Sequence, residues 1–270
     1  MNSIENQSTK HTRITQQIYD SPEYDDNNCL DRGLAVIVQN FNSTDKNVHC
    51  LKKKLDDLKD ILESIEIQSI EIFNDKVYEN LTKTDLDKLC IEVAMEDFSD
   101  HYCLLFVILA RGKPGLIRCH QSSGYLEQSE ILKHFQPQNC PSLALKPKMF
   151  IIQTLDDDPD PNQADAAHSV DQPQQVRTLK IPRDSDFLTY SSHEYFPLNN
   201  NVFLRLVIEV LSEEKANWDN QRSKFIKDVP EIQRILIRIN RKFKKECPDK
   251  PLPCAMSSLT KRMYLQRRTV

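Results

Sequence analysis

Cysteines, histidines and clustered charges are the residues here whose types could do chemistry. The chain carries 8 cysteines and 7 histidines in 270 residues. A cysteine nucleophile needs a partner base, and a structural metal needs ligands in pairs at set spacing. No Cys-x-x-Cys pair occurs, and the adjacent Cys/His pairs are His49-Cys50 and Cys119-His120. Adjacent pairs without the Cys-x-x-Cys spacing of a zinc site do not make one, so no metal is expected. Most cysteines lie in apolar segments: Cys90 in LCIEVAM, Cys103 in CLLFVILA, Cys254 beside Ala255-Met256. That pattern reads as reduced, buried thiols rather than a disulfide framework. The acidic run Asp156 to Asp160 could hold a cation, but such a run is usually a solvated loop. The basic set Arg234, Arg238, Arg241, Lys242, Lys244 and Lys245 falls partly on one helical face and reads as solvated rather than as a nucleic-acid surface.

Composition removes further classes. Lys plus Arg is 36 against 40 Asp plus Glu, a net charge of −4, so the whole chain has no electrostatic reason to bind nucleic acid. No apolar run approaches the roughly 20 residues that span a bilayer. The start, Met1-Asn2-Ser3-Ile4-Glu5-Asn6-Gln7, has no apolar core of a secretory signal. A cytoplasmic protein without membrane contact or cofactor is expected. The 4 glycines are too few for a fold built on Gly-rich phosphate loops.

The elements that would position any site follow from periodicity. Leu34 to Val38 is an apolar run of strand length. Val48, Leu51, Leu55, Leu58 and Leu62 recur at spacings of three and four, an amphipathic helix. Ser69 to Phe73 alternates like a strand. Thr84 is placed to cap a helix carrying Leu86, Leu89, Val93 and Met95. Cys103 to Ala110 is a second apolar strand, Leu126 to Phe135 a short helix, and Lys148 to Thr154 a third buried strand. Residues 156 to 183 are rich in Asp, Pro and Gln and lack apolar periodicity, which predicts a mobile linker. Residues 1 to 30 read the same way. Asp186 to Ser191 then predicts a strand, Val202 to Leu211 a helix, Pro230 the start of another through Phe243, and Cys254 to Leu259 a last strand. Apolar strands alternating with amphipathic helices predict an α/β fold, a mostly parallel sheet of about six core strands with helices on both faces. In such sheets the chemistry lies beyond the carboxyl ends of the strands.

Four ordered segments resemble the caspases, a family of cysteine proteases. They are Arg32-Gly33-Leu34-Ala35-Val36-Ile37-Val38-Gln39-Asn40, Phe106 to Gly115 (FVILARGKPG), Lys146 to Leu155 (KPKMFIIQTL) and Pro253 to Tyr264 (PCAMSSLTKRMY). Asp186 to Ser191 and Ile239 to Phe243 fit between them in the family's order. The resemblance spans about residues 31 to 265. It implies one caspase-like domain: a large-subunit-like part at 31–155, an inter-subunit linker at 156–183 and a small-subunit-like part at 184–270, behind a short N-terminal peptide at 1–30.

The departures from the family are sharper than the matches. The family has Ser-His-Gly after the third strand, with His as base; here the residues are Ala110-Arg111-Gly112. The family has Gln-Ala-Cys-Arg-Gly after the fourth; here they are Gln153-Thr154-Leu155-Asp156-Asp157. The interval of 44 between Arg111 and Leu155 is near the family's spacing of about 50. Leu155 has no nucleophilic atom, and Arg111 stays protonated and cannot act as base. Gly112 retains only a residual oxyanion-type position. Thr154, one residue away, should point to the opposite side of the strand, and Cys119 has no evident base. Gln153 matches the Gln with which caspases hold an Asp side chain, yet the two arginines of that pocket have no counterpart; the nearest bases are Lys46 and Lys52 to Lys54.

The resemblance therefore implies a pseudoenzyme, a decoy-like caspase homologue that regulates apoptotic caspase activity by binding an active caspase. Cys254, Ala255, Met256, Ser257, Ser258 and Leu259 are the expected pairing strand, with an active caspase or a second copy as partner. Asp20 and Asp165 are the expected processing positions, because Asp158 and Asp160 precede prolines. Two rivals stay open: a working cysteine endopeptidase whose site is misaligned, and a caspase-fold scaffold that meets no caspase.

Overall fold

The computed structural model describes residues 32–41, 48–64, 69–120, 124–155, 185–194, 201–221 and 231–264. The expectations for residues 1–30 and 156–183, with Asp20 and Asp165, and for Pro230 fall outside them.

The strands are β1 (Arg32–Asn40), β2 (Ser69–Glu79), β3 (His101–Lys113), β4 (Leu116–Arg118), β5 (Tyr125–Glu127), β6 (Lys148–Leu155), β7 (Phe187–Glu194) and β8 (Cys254–Ser257). The helices are α1 (Val48–Glu63), α2 (Lys83–Ala94), α3 (Gln128–His134), α4 (Val202–Gln221) and α5 (Ile232–Glu246). The main sheet runs β2-β1-β3-β6-β7-β8, with β4 and β5 extending from β3 as a small antiparallel flap. β1 through β7 pair in parallel along this path, and β8 joins β7 antiparallel. Strands from both sides of the 156–183 segment thus lie in one continuous sheet.

Strand residues alternate between two apolar layers, as a period of two requires. Ala35, Ile37, Leu105, Val107, Leu109, Met149 and Leu155 face α1, α4 and α5. Val36, Val38, Phe106, Ile108, Phe150 and Ile152 face α2 and α3. Helices cover both faces, which is why β3 and β6 are apolar throughout rather than alternating.

Several boundaries differ from expectation. The cap of α2 is Thr82, whose hydroxyl accepts from the Asp85 N–H, and not Thr84. Met95 lies past the last turn of α2 and is 81% exposed, so it is no core residue. Leu126 belongs to β5, and the helix begins only at Gln128. The last strand ends at Ser257; Ser258 turns inward, its hydroxyl accepting from the Phe187 N–H at 3.1 Å and its N–H donating to the Phe187 carbonyl. Leu259 packs half-buried on the α1 side of the core. Cys254 is exposed and Cys50 half-buried, while Cys90, Cys103, Cys119, Cys140 and Cys247 are buried free thiols. An edge strand has one open flank, which is why an apolar-looking Cys254 is not in the core.

The basic set on α5 is not simply solvated. Lys242 bonds Glu209 and Glu213 on α4, each at 2.5 Å, and Arg238 pairs with Glu213 and Glu214. Arg205 on α4 returns the contact to Glu246. The two helices are laced by this network, while Arg234, Arg241, Lys244 and Lys245 face outward.

Candidate functional site

The carboxyl ends of β1, β3, β6 and β7 lie side by side, and pairing fixes which residues meet. Asn40 is opposite Ala110, Arg111 opposite Leu155, and Thr154 opposite His193. The frame around them is set by Asn40. Its Nδ2 donates to the carbonyls of Leu81 and Arg118 at 2.9 and 3.3 Å, and its Oδ1 accepts from the Leu81 N–H at 2.6 Å. One side chain thereby ties the segment after β2 and the flap strand β4 to the end of β1.

Arg111 is half-buried, its guanidinium 5.9 Å from the centre of the Phe41 ring. A cation over an aromatic face is held electrostatically by the ring quadrupole. Gly112, next along, pairs with Ile117 in the flap, and a Cβ there would lie 2.2 Å from the Leu116 carbonyl oxygen. Only glycine lets the β3–β4 hairpin close so tightly. Leu155 is 1% exposed and belongs to the apolar layer against α1, α4 and α5. It is a packing residue presented to the core, with nothing reactive to offer.

Gln153 and Thr154 are both buried and point to opposite faces, as alternation predicts. Thr154 Oγ1 and His193 Nδ1 share a hydrogen bond of 2.9 Å. A hydroxyl beside an imidazole is a nucleophile–base pair by type. Here Thr154 is 2% exposed, so the bond serves to tie β6 to β7. Gln153 accepts from Asn201 Nδ2 through its Oε1 at 2.7 Å, and its own Nε2 has no hydrogen-bond partner among the described residues. Asn201 also caps α4, its Oδ1 accepting from the Leu204 N–H at 2.9 Å, while its carbonyl accepts from Lys54 Nζ at 3.3 Å. The amide of Gln153 is thus folded against the start of α4 rather than presented to solvent. Lys54 is among the bases nearest in sequence, and it reaches this spot from α1. Lys46, Asp156, Asp157 and Asp158 lie outside the described residues.

Cys119 is buried, and desolvation pushes its thiol above the ordinary range, so it is not held as a thiolate. Burial raises Cys90 and Cys103 to about 12 for the same reason. Among the described residues no group of three or more His, Cys, Asp or Glu could hold a metal ion, and no helix is long and apolar enough to cross a membrane.

The family model of the caspase domain, peptidase family C14, matches residues 32–264. The chain belongs to the caspase family. It is 27% identical to caspase-3 of Oryctolagus cuniculus, over 97% of this chain and 97% of that protein. It is 25% identical to caspase-1 of Spodoptera frugiperda, over 97% of this chain and 88% of the relative. Among solved structures, pro-Sf-caspase-1 superposes with a TM-score of 0.69 at 22% identity, covering 92% of this chain and 95% of that one. This confirms the caspase-like α/β fold.

Three participants at the site escaped the sequence reading of this caspase domain. Asn201 carried a usable signal, an Asn just before an apolar-periodic helix, which marks a helix cap. Phe41 beneath Arg111 and His193 beside Thr154 carried none, because each contact joins segments distant in sequence.

Proposed function

We propose that this chain is a caspase-fold protein without proteolytic turnover, which regulates apoptotic caspase activity in the cytoplasm by binding an active caspase. The observation that carries the reading is the pair Arg111 and Leu155. They sit directly opposite each other on the neighbouring strands β3 and β6, where the family's resemblance places base and nucleophile. One is packed over Phe41 and the other sealed in the core. The route to peptide hydrolysis needs a thiolate and a proton acceptor, and neither group supplies one. Loss of a nucleophile or base costs about 10⁶ in kcat in the serine-protease precedent. What remains is a fold in which, among the described residues, no strand pairs with the outer flank of β8, which supports action by association with an active caspase or with a second copy.

Peptidase assay on Asp-containing caspase peptides tests the first half. Turnover above background that disappears on mutating one cysteine would overturn the reading. Co-precipitation with active caspases tests the second half, since a scaffold unrelated to caspases would capture none. The double variant Arg111→His/Leu155→Cys is expected to remain without efficient Asp-directed proteolysis. Gln153 would still be engaged by Asn201, and the family's two arginines would still be missing, so transition-state positioning would fail. Robust cleavage by that variant would show the pocket to be intact.

A further inference from the structure

His49 and Cys50 form a second nucleophile–base pair, outside the site described above. The Cys50 sulfur and His49 Nε2 share a hydrogen bond of 3.3 Å. A thiol within hydrogen-bond reach of an imidazole is the arrangement that activates a cysteine nucleophile, because the ring can take the thiol proton. The Thr154–His193 pair is sealed at its hydroxyl end, but this one meets solvent: His49 is exposed and Cys50 is half-buried. Cys90, Cys103, Cys119 and Cys140 are buried instead, and desolvation pushes each of those thiols up, away from the reactive thiolate.

The surroundings of the pair are positive. Cys50 is the third residue of α1, and the first turn of that helix holds no acidic side chain. The amide N–H groups of a first turn lack intrahelical acceptors, and their partial charges favour an anion such as a thiolate. Lys53 and Lys54 follow at the spacings of three and four that share a helix face with Cys50. The acid on that face, Asp57, comes nearly a turn later. Lys54 Nζ donates to the Asn201 carbonyl at 3.3 Å. Lys52 and Lys53 are exposed and enter no ion pair among the described residues. Reactive cysteines sit in such electropositive, partly exposed places.

We propose that Cys50, activated by His49, is a thiol–disulfide exchange site whose substrate is a small anionic disulfide. Cys50 gives its proton to His49 and attacks one sulfur of the disulfide. The new S–S bond forms as the old one breaks, and the departing thiolate takes the proton back from His49. The Cys50 sulfur ends oxidised in a mixed disulfide, and the other half of the substrate leaves reduced as a free thiol. Lys52 and Lys53 are the free cations that attract the negative charge of the substrate. A metal fits less well, since one Cys and one His fall short of the four ligands of a structural zinc site.

The test uses the full chain. Peptide-resolved mass spectrometry follows alkylation by limiting iodoacetamide at neutral pH, with exposed Cys254 as the reference within the same molecule. Cys50 is expected to react about tenfold faster than Cys254, and His49→Gln, at an exposed position, to bring the two rates together. Equal rates in wild type would overturn the proposal, and so would a fast Cys50 that His49→Gln leaves unchanged. The wild-type comparison needs no variant, so it decides even where a variant fails to fold. Glutathione disulfide, which is anionic, is then compared with neutral hydroxyethyl disulfide. Glutathione disulfide is expected to modify Cys50 about fivefold faster at low salt, an advantage lost in Lys52→Glu/Lys53→Glu. Equal rates with the two disulfides would overturn the substrate class, and no mixed disulfide at Cys50 with either would overturn the site.

Discussion

The two edges of the sheet are built in opposite ways. At one edge, β2 is eleven residues long, enough to recruit another strand, but it is interrupted. Ala35 pairs with Ile72 and Ile37 with Val77, so four residues of β2 stand opposite Val36 alone. Asn74 and Asp75 within that bulge have φ of 53° and 52°, and Lys59 of α1 bonds the Asp75 carboxylate at 2.5 Å. Bulges and charges are how proteins keep an edge from pairing. At the other edge, β8 has four regular residues, no positive φ and no charge. The contrast teaches that this fold spends structure to close one edge and, among the described residues, leaves the other open, and an edge left open invites a partner.

The largest expected effect comes from breaking the open edge. Met256→Lys or Ser257→Glu should weaken association about a hundredfold, because a charge left unpaired in an interface costs roughly 2–5 kcal/mol. Melting temperature should stay at the wild-type value, since Ser257 is exposed and Met256 only half-buried. Mutants that bind as tightly as wild type would move the interface elsewhere. Ser258→Glu sharpens the same point from inside: it removes the hydroxyl that accepts from Phe187 and should lower folding stability by about 1–3 kcal/mol. A Ser258→Glu protein as stable as wild type would contradict the inward placement.

Opening the guarded edge is the next largest. Deleting residues 74–76 would leave one residue opposite Val36 and straighten β2. The shortened chain is expected to form concentration-dependent oligomers by gel filtration that Met256→Lys does not abolish. A monomeric deletion variant would show that something other than the bulge protects β2. The smallest effect is electrostatic. The hydrogen bond that Lys59 donates to the Asp75 carboxylate holds Lys59 above the ordinary lysine value of 10.5. A lysine raised in the folded state contributes stability in full below its unfolded value, and that contribution is lost as pH rises through the raised one. Asp75→Asn should bring the Lys59 titration, followed by NMR, back toward 10.5 and flatten the alkaline loss of stability. An unchanged titration would separate Lys59 from the guard.

Much of the frame was legible in the residues. The spacing of Leu51, Leu55, Leu58 and Leu62 located α1, and the apolar runs of β3 and β6 announced a sheet covered on both sides. The positions of Arg111 and Leu155 followed from the family resemblance, and the structure sets them opposite each other on neighbouring strands. Other details were not legible. Met95 looked like core because it kept the helical period, but the helix ended one residue before it. Cys254 looked buried because its neighbours are apolar, but a strand at the rim has one face of neighbours missing. Part of the cationic set on α5 looked solvated until the carboxylates of α4 were found opposite it.

What the sequence determined by itself is local: the period of each element and the apolar faces. Those follow from side-chain types at short separation, which set propensity and patterning. Tertiary structure alone decided that Asn201 closes over Gln153, that Phe41 lies under Arg111, that β2 is guarded and that carboxylates of α4 engage Arg238 and Lys242 of α5. Each of those joins segments far apart in the chain, and only the packing of sheet and helices brings them within reach of one another.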